Sequence, residues 1–310
     1  MLDIREVNVD GSLIDKLYKK GVIDAPSGMG HWEAHFKILK SLDGKSALVN
    51  DQGDTWELVK AKDLKFLGIS PKDAGQKCML WALENYDLVV AVGGAGTGKT
   101  TIALAWALHQ VFRQGKKLVL CKPTTFVGGK SNAIAATPGT HREKLEGYID
   151  SYLGAMRKII GDTFEHHLYQ LEEEGKIVFQ PLELMRGLNY DNSVVILDES
   201  QNTSPMELMT ALSRVGQNST CIIMGDLHQI DTGARSRDTG LSVLTNSESF
   251  LDSGIGVGLK LTGQYRGPLA TLAADVLEEF YSDEVGDLEP ISEDILTSYR
   301  ERVEIDVEDQ

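Results

Sequence analysis

The sequence predicts an α/β protein: a three-layer, mostly parallel sheet covered by helices on both faces, behind a small N-terminal unit of one helix and a β-meander. Three observations point there. From Ile69 onward, aliphatic runs alternate with helix-length segments, the rhythm of strand–helix–strand units. Several of those runs, such as VVIL at 194–197, are continuous rather than alternating, as strands buried on both faces are. The first 68 residues instead alternate apolar and polar positions around two turn signals, Asp43-Gly44 and the stretch 51–54.

In chain order, SLIDKLYKK at 12–20 reads as a short helix, with Ser12 as its N-cap and Gly21 beyond its end. The segment 35–60 supplies the meander. HWEAH at 31–35 places its glutamate wrongly for a zinc-binding HExxH helix. The core strands and helices follow as DLVVAVG, TTIALAWALHQVF, KLVLCKP, KIVFQP, SVVILDE, PMELMTALSRV and TCIIMGD. A glycine-containing stretch, 124–140, reads as a loop inside this unit. The resulting boundaries are 1–68 for the N-terminal unit, 69–282 for the core and 283–310 for an acidic tail.

Composition narrows the class. A chain of 310 residues with 42% hydrophobic and 25% charged content can bury a proper core. No apolar run approaches the ~18 residues of a membrane span, and the N-terminus lacks the basic, then apolar, order of a secretory signal. Three cysteines without metal-ligand spacing, two of them in apolar runs (Cys121 and Cys221), suggest buried thiols in a reducing cytoplasm. The net charge of −15 argues against general polyanion binding. However, the tail from Asp283 holds eleven acids against two arginines, so the remainder is only mildly acidic and a local basic groove stays open.

The strand LVVAV runs into GGAGTGKTT and then an apolar helix. Gly93, Gly98, Lys99 and Thr100 match G-x-x-x-x-G-K-[ST] in strand–loop–helix context, the phosphate cradle of P-loop (RecA-like) NTPases. Glycines let backbone N–H groups converge on phosphate oxygens, and the helix N-terminus adds partial positive charge. The expected ATP-binding set is Gly93, Gly94, Ala95, Gly96, Thr97, Gly98, Lys99, Thr100 and Thr101. Lys99 is expected on the β- and γ-phosphates and the Thr100 hydroxyl on Mg²⁺. A second strand, VVIL, ends on Asp198 and Glu199. Asp198 suits the second Mg²⁺ ligand and Glu199 the base that activates water, a pairing that favours an ATPase over a kinase or small GTPase. The competing reading is an acidic helix cap at Asp198 or Ser200.

With PKDAGQ, VGGAGTGKTT, LCKPTT, PLELMRG, VILDESQNTSP, IIMGDLHQID and LTGQYRGPL in that order, residues 70 to 281 resemble the PhoH-like proteins, P-loop ATPases related to superfamily 1 helicase cores. Departures are Lys122 in place of the usual arginine, Ser200 for a common alanine, and QYRGPL for Val-Arg-His-Pro-Leu. The resemblance implies that Gln76, 23 residues before Lys99, reads the adenine edge, for which its amide can both donate and accept. It further implies that Asp226 and Gln229 emerge beside the γ-phosphate, with Gln229 as sensor, and that Arg266 stabilises transition-state charge in its own or a neighbouring subunit. Arg186 matches the motif equally well as a structural residue. About 68 residues precede the core, too few for the ribonuclease domain of some larger relatives, so nuclease activity is not carried over.

The function expected is ATP hydrolysis coupled to binding or unwinding single-stranded nucleic acid, RNA favoured over DNA. Lys122, Lys130, Arg142, Lys144, Arg235 and Arg237 are the candidate contacts. A solvated charged surface is the plain alternative, and no aromatic stacking platform is evident in the sequence. One sheet per chain means that work on a strand needs a homo-oligomer, for which the resemblance suggests a hexameric ring. The alternatives are an ATP-dependent regulatory switch or assembly protein that unwinds nothing, and a small-molecule kinase.

Overall fold

The computed structural model describes residues 2–26, 34–60, 65–123, 141–227, 229–230, 238–269, 271–272 and 276, with 141–148 described as helix backbone only. The core is a six-stranded sheet in the order β11-β6-β10-β9-β7-β8, and every neighbouring pair in it is parallel. Its strands are β6 (Leu88–Val92), β7 (Lys117–Lys122), β8 (Ile177–Pro181), β9 (Ser193–Leu197), β10 (Thr220–Gly225) and β11 (Gly256–Lys260). Every residue of β6, β9 and β10 is buried, which is why these strands read as unbroken aliphatic runs. Helices α2 (Ala74–Asn85), α3 (Lys99–Gln114), α4 (His141–Ile160) and α5 (Phe164–Glu173) pack on one face. Helices α6 (Pro205–Leu212), α7 (Gly240–Thr245) and α8 (Glu248–Leu251) cover the other.

Strand order positions the site. The chain leaves β6 through α3 and returns as β7, while β10 and β9 insert between those two strands. The C-terminal ends of β9 and β10 therefore lie beside the loop that follows β6, at the crevice where ligands of open α/β sheets bind.

The N-terminal unit is a five-stranded sheet in the order β1-β3-β4-β5-β2, with helix α1 (Gly11–Lys20). Strands β3 (Phe36–Lys40), β4 (Ser46–Asp51) and β5 (Thr55–Leu58) form the expected antiparallel meander. Two further strands make the sheet mixed: β1 (Arg5–Asn8) runs parallel to β3 and β2 (Val22–Asp24) antiparallel to β5. Gly21 ends α1 at φ 82° as expected, but the N-cap is Asp10, whose side chain accepts from the Ser12 N–H, rather than Ser12 itself. The N-terminal unit also packs against the core unit. Phe36 packs edge-on against Trp81 with ring centroids 6.0 Å apart, Tyr86 donates to Asn50 Oδ1 at 3.0 Å, and the Lys260 N–H reaches the Leu2 carbonyl at 2.7 Å.

All three cysteines are buried and free. Among the described residues no helix is long and apolar enough to cross a membrane.

Candidate active site

After Val92 the chain enters the loop 93–98. Gly93 takes φ 151°, and a Cβ there would lie 2.3 Å from the Leu261 carbonyl oxygen, so only glycine lets the loop leave the sheet so close to the chain that follows β11. Gly98, at φ 89°, is equally constrained, since a Cβ would meet Gln76 Nε2 at 2.7 Å. Helix α3 then starts at Lys99 without a side-chain cap. Its first N–H groups and the positive end of its dipole sit where a phosphate would need them.

The Lys99 ammonium lies back along the loop. It donates to the Gly93 carbonyl, to the Gly94 carbonyl at 3.0 Å and to Thr97 Oγ1 at 3.4 Å. Burial pushes its pKa below the ordinary lysine value, while Asp198, Asp226 and Glu199 pull it back up. Gln76 is nearly fully buried and ties two segments together: its Oε1 accepts from the Lys72 N–H at 2.9 Å, and its Nε2 donates to the Thr97 carbonyl at 3.0 Å. In this arrangement Gln76 braces the loop, the structural duty that competes with reading a base edge.

Opposite the loop, β9 ends and Asp198 follows, its N–H donating to the Cys121 carbonyl at 2.9 Å. Burial is the main reason its carboxyl is pushed up to about 6; the adjoining Glu199 adds to the shift, and Lys122 and Lys99 oppose it. Glu199 sits in the left-handed region at φ 54°, ψ 34°. A bulky L-residue there costs of order 1 kcal/mol, and the turn needs it in order to swing from strand into the 3₁₀ segment Ser200–Asn202.

The sequence did not single out Gln201. Only 1% exposed, it donates from Nε2 to Glu199 Oε2 at 2.8 Å while its Oε1 accepts from the Asp226 N–H at 3.0 Å. One amide thus fixes the Glu199 carboxylate and links it to the end of β10. Its signal was available as a buried-type polar residue two positions after a paired acid, but nothing in the sequence names its two partners. Ser200 is also accounted for: its hydroxyl is buried and donates to the Leu197 carbonyl at 3.0 Å.

The segment after β11 closes the site from the other side. Leu261 N–H donates to the Val92 carbonyl at 2.8 Å and Tyr265 N–H to the Gly96 carbonyl at 3.0 Å. Tyr265 also donates its phenol proton to Asp73 and lies under the Lys72 ammonium, 4.6 Å from its ring centre. The resulting cleft has a volume of about 1020 Å³. Gln76, Ala95 through Thr101, Asp198, Glu199, Asp226, Gln229 and Arg266 all line it, as does Lys122. Gly93 and Gly94 instead border a smaller cavity of about 240 Å³, into which Asp226 also faces. Of the other basic candidates, Lys130, Arg235 and Arg237 fall outside the described residues, and Arg142 and Lys144 belong to the part of α4 described as backbone only. The loop 124–140, the tail 283–310 and His31 to Glu33 of HWEAH likewise fall outside.

A magnesium nucleotide fits this donor set. Among the described residues no three His, Cys, Asp or Glu side chains cluster to hold a metal by themselves. A single buried carboxylate and a hydroxyl are instead what Mg²⁺ uses when phosphate oxygens and water complete its shell. Fold and site together define a nucleotide-binding P-loop NTPase. The chain belongs to the PhoH family: the family model for PhoH-like proteins matches residues 68–276. A PhoH-like protein of Bacillus subtilis (strain 168) is 34% identical over 221 residues, which are 71% of this chain and 66% of that one. Protein PhoH2 of the same organism is 32% identical over 285 residues, 88% of this chain and 63% of that one. The chain thus spans less than two thirds of the length of PhoH2. Among solved structures, Pif1 helicase from Candida albicans (16% identity, 64% of this chain, 41% of that one) aligns with TM-score 0.33. A large terminase from the thermophilic bacteriophage D6E in complex with ADP (11% identity, 67% of this chain, 46% of that one) aligns with TM-score 0.32.

Proposed function

We propose that this protein is a Mg²⁺-dependent ATPase whose turnover is coupled to binding or unwinding single-stranded nucleic acid, RNA favoured, and that it works as a homo-oligomer in the cytoplasm. The observation carrying the ATPase reading is that Lys99 and Thr100 in the first turn of α3 and Asp198 and Glu199 just after β9 line one cleft.

The loop amides and Lys99 bind the triphosphate, and Thr100 and Asp198 hold Mg²⁺. When bound, that ion neutralises charge on the phosphate oxygens. Glu199 accepts the proton of the attacking water as it adds to the γ-phosphorus and the bond to the ADP oxygen breaks. Gln201 keeps that carboxylate in one orientation, which matters because general-base catalysis depends on reach before pKa. Gln229, on the turn after β10, senses the γ-phosphate, and Arg266 offers positive charge to the transition state. The proposed strand contacts are Lys130, Arg142, Lys144, Arg235 and Arg237.

The test is the ATPase rate with and without poly-U at several salt concentrations. Stimulation that fades with salt supports the coupled reading, because phosphate contacts release counterions. A rate indifferent to RNA at low salt favours the regulatory switch. ADP formation that requires an added acceptor points to a kinase.

A further inference from the structure

Lys122 is a sequence candidate for gripping a nucleic-acid strand, yet its surroundings are those of the nucleotide cleft. It is the last residue of β7, one position beyond the pairing of Cys121 with Leu197. This register puts Lys122 next to Asp198 across two adjacent parallel strands, both ending at the rim of the same cleft. Strand β7 flanks β9 on the side away from the phosphate loop, so Lys99 and Lys122 approach the paired acids from opposite sides.

Its head group is also positioned. Lys122 Nζ donates to Ser151 Oγ at 2.6 Å and lies 4.5 Å from the centre of the Tyr152 ring. Tyr152 is fully buried, with its own hydroxyl donating to the Cys121 carbonyl at 3.3 Å. A rigid aromatic face beneath an ammonium, together with a hydroxyl tether from α4, restricts a side chain that would otherwise sample many rotamers. Four acids (Asp150, Asp198, Glu199 and Asp226) line the cleft, and a terminal phosphate placed between the paired acids and the loop would bring more negative charge. Lys122 adds to the positive charge of Lys99 and Arg266 in the cleft from the β7 side of the paired acids.

We propose that Lys122 is a nucleotide-binding residue that contacts the terminal phosphate of the bound triphosphate and thereby distinguishes triphosphate from diphosphate. This rests on the ATPase reading above. Charge-assisted hydrogen bonds are about twice as strong as neutral ones, so losing one at a terminal phosphate weakens binding by about tenfold or more.

The test uses the full chain with Mg²⁺, in a Glu199→Gln background so that ATP persists during calorimetry. Adding Lys122→Gln should weaken ATP by about tenfold or more and leave ADP affinity within about twofold, while Lys122→Arg keeps most of the ATP affinity. In proteins with Glu199 intact, KM for ATP should rise more than kcat falls. If Lys122→Gln does not fold, Ser151→Ala, which removes the tether alone, should show the same ATP-selective weakening at smaller size. Equal weakening of ATP and ADP, or no change in either, overturns the assignment. So does a selective loss of poly-U affinity measured without nucleotide, which would return Lys122 to the strand. If the parent protein binds neither ATP nor ADP, the ATPase reading itself fails; if it binds both and Lys122→Gln leaves their ratio unchanged, only this assignment does.

Discussion

Replacing Gln201 with alanine perturbs stability and catalysis through one side chain. The amide donates to Glu199 and accepts from the Asp226 N–H, and both Gln201 and Asp226 are buried. Alanine leaves the Asp226 N–H without its acceptor, which costs about 1–3 kcal/mol for a buried donor. It also removes a hydrogen bond to a carboxylate, about 1.5–3 kcal/mol on the same scale. Water entering the small cavity recovers part of both, so the expected loss is about 2–4 kcal/mol. Urea unfolding reads that as a lower midpoint with an unchanged slope. Catalysis should suffer separately, because Glu199 loses the partner that fixes its orientation: kcat is expected to fall by about tenfold or more, with KM for ATP little changed. Gln201→Glu sharpens the test, as it retains an acceptor for Asp226 but sets a second negative charge against Glu199. If Gln201→Ala unfolds at the parental midpoint and turns over at the parental rate, the amide bridge has no role in either property.

Further consequences follow from the same geometry. Lys99→Ala should abolish nucleotide binding in calorimetry, since it removes the cation that curves the loop and meets the phosphates. Glu199→Gln should retain ATP but slow hydrolysis by about 10²-fold, measured in single turnover; an unchanged rate would refute its role as base. Gly93→Ala forces a Cβ against the Leu261 carbonyl at positive φ and should cost about 2–4 kcal/mol from strain and overpacking. His35, whose burial depresses its pKa from 6.5 to about 4, is protonated earlier in the unfolded chain than in the folded one. Its contribution is therefore intact above pH 6.5 and is lost as pH falls toward 4. That gap is worth about 3 kcal/mol at about 1.4 kcal/mol per pH unit. His35→Phe should flatten the acid limb of denaturation midpoints between those limits.

The parts legible in the sequence were those where one pattern answers one physical demand. Continuous aliphatic runs marked β6, β9 and β10 because strands covered on both faces have no polar side to show. The glycine-lysine spacing marked the loop because few other backbones turn so tightly into a helix. Strand β11 was missed for the opposite reason. GVGLK carries glycines where a side chain would strike Phe250 or Leu2, so crowding by residues outside the strand erased the local strand signal. Similarly, Asp10 rather than Ser12 caps α1, since both are good caps two residues apart and only the backbone angles choose between them. Gln76 and Gln201 were opaque in function because an amide's meaning lies in its partners, and one partner of each lies 21 and 25 residues away in the chain.

The chain beyond β11 is fastened by main-chain bonds to the end of β6 at Leu261 and to the phosphate loop at Tyr265. Every residue but proline carries a backbone N–H donor, so this joint can survive wide drift in the side chains around it. A displacement of the loop at Gly96 would therefore carry Tyr265 with it and, through the phenol bond to Asp73, pull on the N-cap of α2.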